Sequence, residues 1–503
     1  MSQAIKGKTM RHFLGAFILL GSMLLSQVTS AGDGDTLGAA LDSDTPLIND
    51  LKYLTDTIGG RPMGSKANER AVDWISGRLR DAGLNVKTPI FNLPRNWVAG
   101  QARATITSGS FSFEPTFVPR VYSASTNGDV TAPIVDIGLG TEDDFARAGE
   151  TISGAFVLVH TPVLTDEAGL AGLFSEYIQG YHAKARAATA GAIGVVYVSS
   201  RPKGLMMRHV SVKAFENTLI TATVDRENGL RIQRAIRGGE TVSMTANIKA
   251  LDTKGGTARN VIAEIRGSER PDEIVIIGAH MDSHDLGTGA LDNGTNTSIV
   301  MDIARQIKAS GIKPKRTIRF ALWNGEEYGM LGSGAYVAAH MAEMDNHIVS
   351  ITHDIGGGRI TGYFVNGGAG LIEETNLAMD VINARGPFAN IAAPLVGTDN
   401  YDFMMYGVPN LIANQEDATY ASNYHAQSDT FDKVDLTQLK KNAVIAGHTV
   451  LHFANSDWRG TRATAAEISA MVDANKLHPS MDSFGLLDAW IRGDRGLNPN
   501  PAD

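Results

Sequence analysis

The chain contains no cysteine. That absence removes disulfides, thiolate metal ligands, a cysteine nucleophile and a lipid-modified N-terminal cysteine from consideration. Positive charge is also in short supply, with 45 Lys plus Arg against 54 Asp plus Glu and a formal charge of −9. Such a surface argues against nucleic acid or anionic membrane as a partner. Long apolar runs are missing except at the start, where residues 13–25 follow Lys6, Lys8 and Arg11 and precede the small residues of 26–31. As a helix that run reaches about 20 Å, short of a bilayer core of roughly 30 Å. The layout is that of a secretory signal peptide, residues 1–31, cleaved near Ala31. The expected location is therefore periplasmic or extracellular, with no membrane association once the leader is gone. Removing it takes away three positive charges and leaves a still more acidic chain.

What remains is long enough for two or three domains with substantial cores. After a polar linker (32–45), Leu47, Leu51, Leu54 and Ile58 give one apolar helical face, and a helix over 66–81 turns Ala71, Trp74, Ile75 and Leu79 inward. Strand-like segments follow at 103–107 and 111–118. Residues 124–246 change texture, with short β runs at 155–159 and 193–198, a helix over 177–190 and glycine-rich turns. They read as a separate small α/β or β-rich domain. From 257 onward the pattern is α/β. Apolar strands at 274–279, 317–323, 347–353 and 408–413 alternate with helices at 295–309, 328–344 and 436–453, which implies a mostly parallel central sheet flanked by helices. The extension 457–503 is polar apart from 484–491, a stretch suited to packing on the body or on a second subunit.

In open α/β sheets, ligands bind beyond the carboxyl ends of the strands. Three successive strands here end in metal-competent groups: His280, then Glu326 and Glu327, then Asp354. Between the first two lies the turn GTGALDNG (287–294), which carries Asp292 and lacks the lysine of a phosphate loop. His425 follows in an irregular segment. Imidazoles and carboxylates without thiolate suit hydrolytic zinc, and two metals sharing one bridging carboxylate need about five such groups. Singly, each residue has an ordinary structural explanation, and only their shared sheet edge makes a site. His280 and His284 are four apart, but the segment leaves a strand for a glycine-rich turn, so the pair is not the helical zinc motif. Asp282 is expected to matter more than His284, by orienting the imidazole of His280. His353 should point away from Asp354, its neighbour on an extended strand.

The runs GAHMDSHDLGTGALDNGTNTS, ALWNGEEYGMLGS, THDIGGG, VGTDNYDFMMYGVPN and NYHAQSDT resemble the metal-binding blocks of the M28 family of zinc peptidases, and most of all its carboxypeptidase Q (plasma glutamate carboxypeptidase) branch. IGGRPMGSKANERAVDWISGRLR is similar to that branch's N-terminal segment, and the resemblance covers roughly residues 47–455 in order. It implies a zinc-exopeptidase fold, with residues 46–123 as the N-terminal part of the peptidase domain, a protease-associated-like domain at 124–246, and the catalytic domain at 247–456. It also implies two zinc ions per chain: one on His280 and Asp354, the other on Glu327 and His425, with Asp292 bridging. Glu326 would be the general base, Tyr424 would stabilise the oxyanion, and Asp399 would stand behind the ligands. A peptide bond in the cis form is expected after Asp292. The substrate would be a peptide or dipeptide, and a homodimer is implied by resemblance alone. Whether the enzyme trims the amino or the carboxyl end stays open, as do single-zinc glutaminyl cyclisation and a receptor-like binding protein.

Overall fold

A computed structural model describes residues 32–210 and 219–502; the leader 1–31 lies outside the described residues. Two eight-stranded sheets organise the chain. The first runs in the order Asn85–Lys87, Val261–Ile265, Arg316–Trp323, Arg270–His280, His347–Thr352, Asn410–Gln415, Ile360–Asn366, Ile391–Ala392. Its four central strands (316–323, 270–280, 347–352, 410–415) are mutually parallel, and an antiparallel strand adjoins them on each side (261–265 and 360–366). The central strands are apolar on both faces because both are covered. Val275, Ile277 and Ala279 join one core with Ile318, Phe320 and Leu322, while Ile274 and Ile276 join the opposite one with Ala321 and Trp323. Helices Thr295–Ala309 and Leu436–Asn455 pack on the first face. Close packing demands glycine at 278, since a Cβ there would lie 2.4 Å from the Trp323 indole nitrogen.

The second sheet spans Arg95–Thr107 to Ser243–Lys254 in sequence, wider than residues 124–246, and sandwiches its parallel strands Val130–Asp136, Phe156–His160, Gly194–Val198 and Ile220–Val224 between two smaller cores. Its helix Gly169–Thr189 reaches towards the carboxyl edge of the first sheet.

The supposed linker 32–45 is instead a helix, Asp33–Asp42, with Leu37 and Leu41 fully buried against Leu436–Asn455. The expected helix over 328–344 is shorter, Leu331–Ala339, and passes into a 3-10 turn at Met341–Asn346. Residues 484–491 pack on the body: the Phe484 ring lies tilted against Tyr177 at 5.3 Å between centroids and Trp490 joins a core with Met404 and Met405. Among the described residues no helix is long and apolar enough to cross a membrane.

Candidate metal centre

Parallel strands deliver the donors to one edge. His280 is the last residue of Arg270–His280, and Glu326 and Glu327 follow Arg316–Trp323. Asp354 follows His347–Thr352, and Asp292 sits in the turn Ala290–Gly294 that opens Thr295–Ala309. The Asp292–Asn293 peptide is cis. His425 comes from further along, held at φ 55°. Its loop is pinned from the second unit, because Arg208 N donates to His425 O (3.0 Å) and Gln427 N to Met206 O (2.9 Å).

These side chains converge as two groups, His280–Asp292–Asp354 and His284–Glu327–His425, each with its ligand atoms within 4.8 Å of one another. In the first, His280 Nε2 stands 2.9 Å from Asp354 Oδ1 and 3.1 Å from Asp292 Oδ1. In the second, His425 Nε2 and His284 Nε2 each stand 2.9 Å from Glu327 Oε2. Asp292 joins the two, with its other oxygen 3.3 Å from His425 Nε2. Glu326 lies beside them and outside both groups, 4.0 Å from His280 Nε2. All five expected ligands and the expected base therefore meet. His284, which the sequence argument set aside, meets them too.

The surroundings hold the donors in place. Asp429 accepts from the backbone N–H groups of Ala290, Leu291 and Asp292 at 2.7–3.1 Å. Asn293 Nδ2 donates to Asp354 Oδ1 (2.8 Å), and Thr297 Oγ1 donates to His280 O (2.7 Å). Arg61, fully buried, donates to the carbonyls of Met281, Thr288 and Gly289 at 2.6–2.9 Å and so clamps the whole 281–289 loop. Asp282 contacts the His280 ring chiefly through its backbone carbonyl (3.0 Å from Nδ1), with Oδ1 at 3.6 Å. His425 Nδ1 meets His209 Nδ1 at 2.9 Å; behind it His209 Nε2 lies 3.2 Å from Glu176, which pairs with Arg201 at 2.8 Å. None of these three carried a sequence signal, since they lie more than two hundred residues before His425. His353 packs edge-on against Tyr363 and takes no part.

Burial raises the Glu326 carboxyl well above the ordinary carboxylate range, with Asp354 and Asp399 adding to it, and burial raises Asp354 and Asp399 as well. Burial would raise Glu327 too, but His284 and His425 outweigh it and hold Glu327 well down. His425 is buried, which disfavours its charge, yet Glu327 and Asp292 lift it to about 9. Concentrated buried carboxylate charge of this kind is costly unless cations compensate it. Buried atoms without hydrogen bonds point the same way: both ring nitrogens of His284, Oδ2 of Asp292 and Oε1 of Glu327. A nitrogen–oxygen donor set free of thiolate fits zinc.

A cavity opens beside the first group, lined by Asp292, Glu326 and Asp354 on one side and by Leu173, Phe174, Tyr177, Tyr424 and Phe484 on the other. Its described lining contains no Lys or Arg. Arg359 is engaged with Glu416 at 2.8 Å, and Arg208 with Asp285 at 2.6 Å.

Residues 260–450 match the sequence profile of peptidase family M28. Bovine carboxypeptidase Q is 25% identical over 412 residues, covering 78% of this chain and 82% of its own length. The crystal structure of a peptidase M28 precursor from Shewanella amazonensis superposes with a TM-score of 0.76 at 25% identity, over 85% of this chain and 97% of that one. BSAP, a zinc aminopeptidase from Bacillus subtilis, shares the fold with a TM-score of 0.64 at 23% identity, over 82% and 95% of the two chains. Residues 260–450 therefore carry a peptidase M28 domain, and sequence profile, relatives and fold together support a zinc peptidase of that family on a branch resembling carboxypeptidase Q.

Proposed function

We propose that the chain is an exported, two-zinc exopeptidase that acts at the free amino end of peptides or on dipeptides. The observation that carries the reading is the pair of donor groups joined through Asp292, with Glu326 beside them and outside them. His280 and Asp354 would hold one ion and Glu327 and His425 the other, with Asp292 shared. Zinc, when bound, supplies Lewis-acid polarisation of the scissile carbonyl and a nucleophile available at neutral pH. The chain's own residues do the rest. Glu326, its affinity for a proton increased by burial, accepts the proton of the attacking water and passes it to the leaving nitrogen. Tyr424, kept protonated by burial, offers its hydroxyl to the developing oxyanion. Asp282 and Asn293 hold His280 and Asp354 in orientation.

The cavity favours the amino end. Among the described residues its lining holds no Lys or Arg that could pair with a terminal α-carboxylate, which a carboxyl-end reading would need. The name of the bovine relative, carboxypeptidase Q, stands against that reading, and the test must decide between the two ends. Free dipeptides, amino-blocked peptides and carboxyl-amidated peptides should be assayed with and without chelator. Chelator-sensitive cleavage of the free and amidated peptides, with the blocked ones spared, is expected. Cleavage of blocked peptides would overturn the amino-end reading. Export is tested by N-terminal sequencing of the protein recovered outside the cytoplasm, which should begin close to residue 32.

A further inference from the structure

His284 has no role in the five-ligand arrangement, yet its environment is that of a ligand. It is 4% exposed, its ring lies 4.0 Å from that of His425, and its Nε2 is 2.9 Å from Glu327 Oε2. Neither ring nitrogen makes a hydrogen bond of acceptable geometry. His353 is equally buried and unsatisfied, so burial alone does not make a ligand; what sets His284 apart is that its Nε2 meets the ligand atoms of Glu327 and His425 within 4.8 Å. Donor atoms 2.0–2.1 Å from a tetrahedral centre stand about 3.3 Å apart. The contacts of His284 and His425 with Glu327 (2.9 Å each) and of His425 with Asp292 (3.3 Å) are close to that edge. A small cavity lies between these four residues.

The backbone that presents His284 is fixed on every side. Arg61 binds the carbonyls before and after it, Ser283 Oγ donates to His284 O (3.0 Å), and Arg208 pairs with Asp285 at 2.6 Å. Gly60 allows this close passage, since a Cβ there would meet Asp285 Cα at 2.7 Å and His284 O at 3.0 Å.

We infer that His284 is a further metal ligand, giving the second position four protein donors (His284, Glu327, His425 and the shared Asp292) against three at the first. The inference rests on the zinc reading proposed above. Four donors close a tetrahedral zinc site in the manner of structural sites, whereas three is the count typical of catalytic ones. The two positions are thus unequal, and Glu326 stands beside the three-donor one, 4.0 Å from His280.

The test is metal binding by the full chain. Wild type, His284→Ala and His284→Gln are stripped, checked for folding by circular dichroism, and titrated with Zn2+ against a chromophoric chelator, with elemental analysis after gel filtration. Wild type should hold two equivalents. Both variants should keep one at wild-type affinity and lose the other by about 100-fold or more, beyond the loss usual for a residue that only supports a ligand. Glutamine preserves a polar side chain of similar reach, so it carries the test if the alanine variant does not fold. Two equivalents at unchanged affinity in a folded variant overturn the inference and leave the zinc reading intact. Equal weakening of both positions overturns its assignment to one of them. No zinc on wild type overturns the zinc reading and the inference with it.

Discussion

Replacing Glu326 by glutamine separates the chemical step from the metal site. The side chain keeps its shape and loses only its charge and its capacity to take a proton. It belongs to neither donor group, so zinc content should stay at the wild-type level. The carboxyl is buried among Asp354, Asp399 and Glu327, all of which oppose its ionisation. Removing that charge relieves repulsion, and the melting temperature should hold or rise. The rate should fall by the worth of a positioned general base, roughly 10²- to 10⁴-fold in kcat, or about 3–5 kcal/mol in the barrier. Glu326 acts as a base only when deprotonated, and its proton affinity is raised. The acid limb that Glu326 gives the wild-type kcat profile should vanish from the residual activity of the variant. The assay is steady-state kinetics on a free-amino peptide across pH, with elemental analysis of the same samples. A variant within about tenfold of wild type refutes the base assignment. A variant that loses its zinc shows that Glu326 is itself a ligand.

Arg61→Leu strips the 281–289 loop of its clamp and leaves several buried carbonyls unpaired, so stability measured by urea unfolding should drop by roughly 3 kcal/mol or more. Glu176 has its proton affinity lowered: burial opposes this, but Arg201 and His209 outweigh it. A depressed carboxyl contributes stability that is complete above its unfolded value and lost as pH falls through its folded one. The stability gap between wild type and Glu176→Gln should thus be full at neutral pH and shrink below the ordinary value of 4.5, as unfolding curves at the two extremes would reveal. Phe484→Ala opens the apolar wall of the cavity, and KM should rise by roughly tenfold for substrates with a large apolar terminal side chain, with kcat little changed; an unchanged KM would remove Phe484 from substrate binding.

The sequence made the catalytic sheet legible because buried parallel strands are continuous apolar runs and their helices keep a clear period. Thr295–Ala309 and Lys66–Asp81 begin and end where the pattern says. It hid the helix Asp33–Asp42, whose DGDTLGAALD carries two glycines and little apolar character. Tertiary packing overrides that low propensity: at Gly34 and Gly38 a Cβ would crowd the His448 ring at 3.0–3.1 Å, so the glycines are what let this helix lie flat on Leu436–Asn455. His425 lies in an irregular segment, while the other four of the five candidate ligands were legible as a set because each ends or follows a strand or sits in the turn that opens a helix. His284 was not, because dismissing the helical HxxxH spacing also dismissed the residue. A turn can carry a side chain back to the same edge as well as a helix can, and only the path of residues 281–289 around Arg61 reveals it.

The division of labour follows from where each group is anchored. His280, Glu327 and Asp354 stand at strand ends of one sheet and Asp292 in the turn that opens Thr295–Ala309, all set by its packing. The facing wall comes from elsewhere: Phe174 and Tyr177 ride on Gly169–Thr189 of the second unit, and Phe484 belongs to the C-terminal extension. That unit also reaches the donors directly, through the Met207–Ala426 bridge and the His209–His425 contact. Displacing it would therefore alter both the side-chain pocket and the orientation of a ligand. Tyr177 of that wall lies 3.3 Å from His425 Nδ1, so the pocket wall and a candidate ligand are in direct contact.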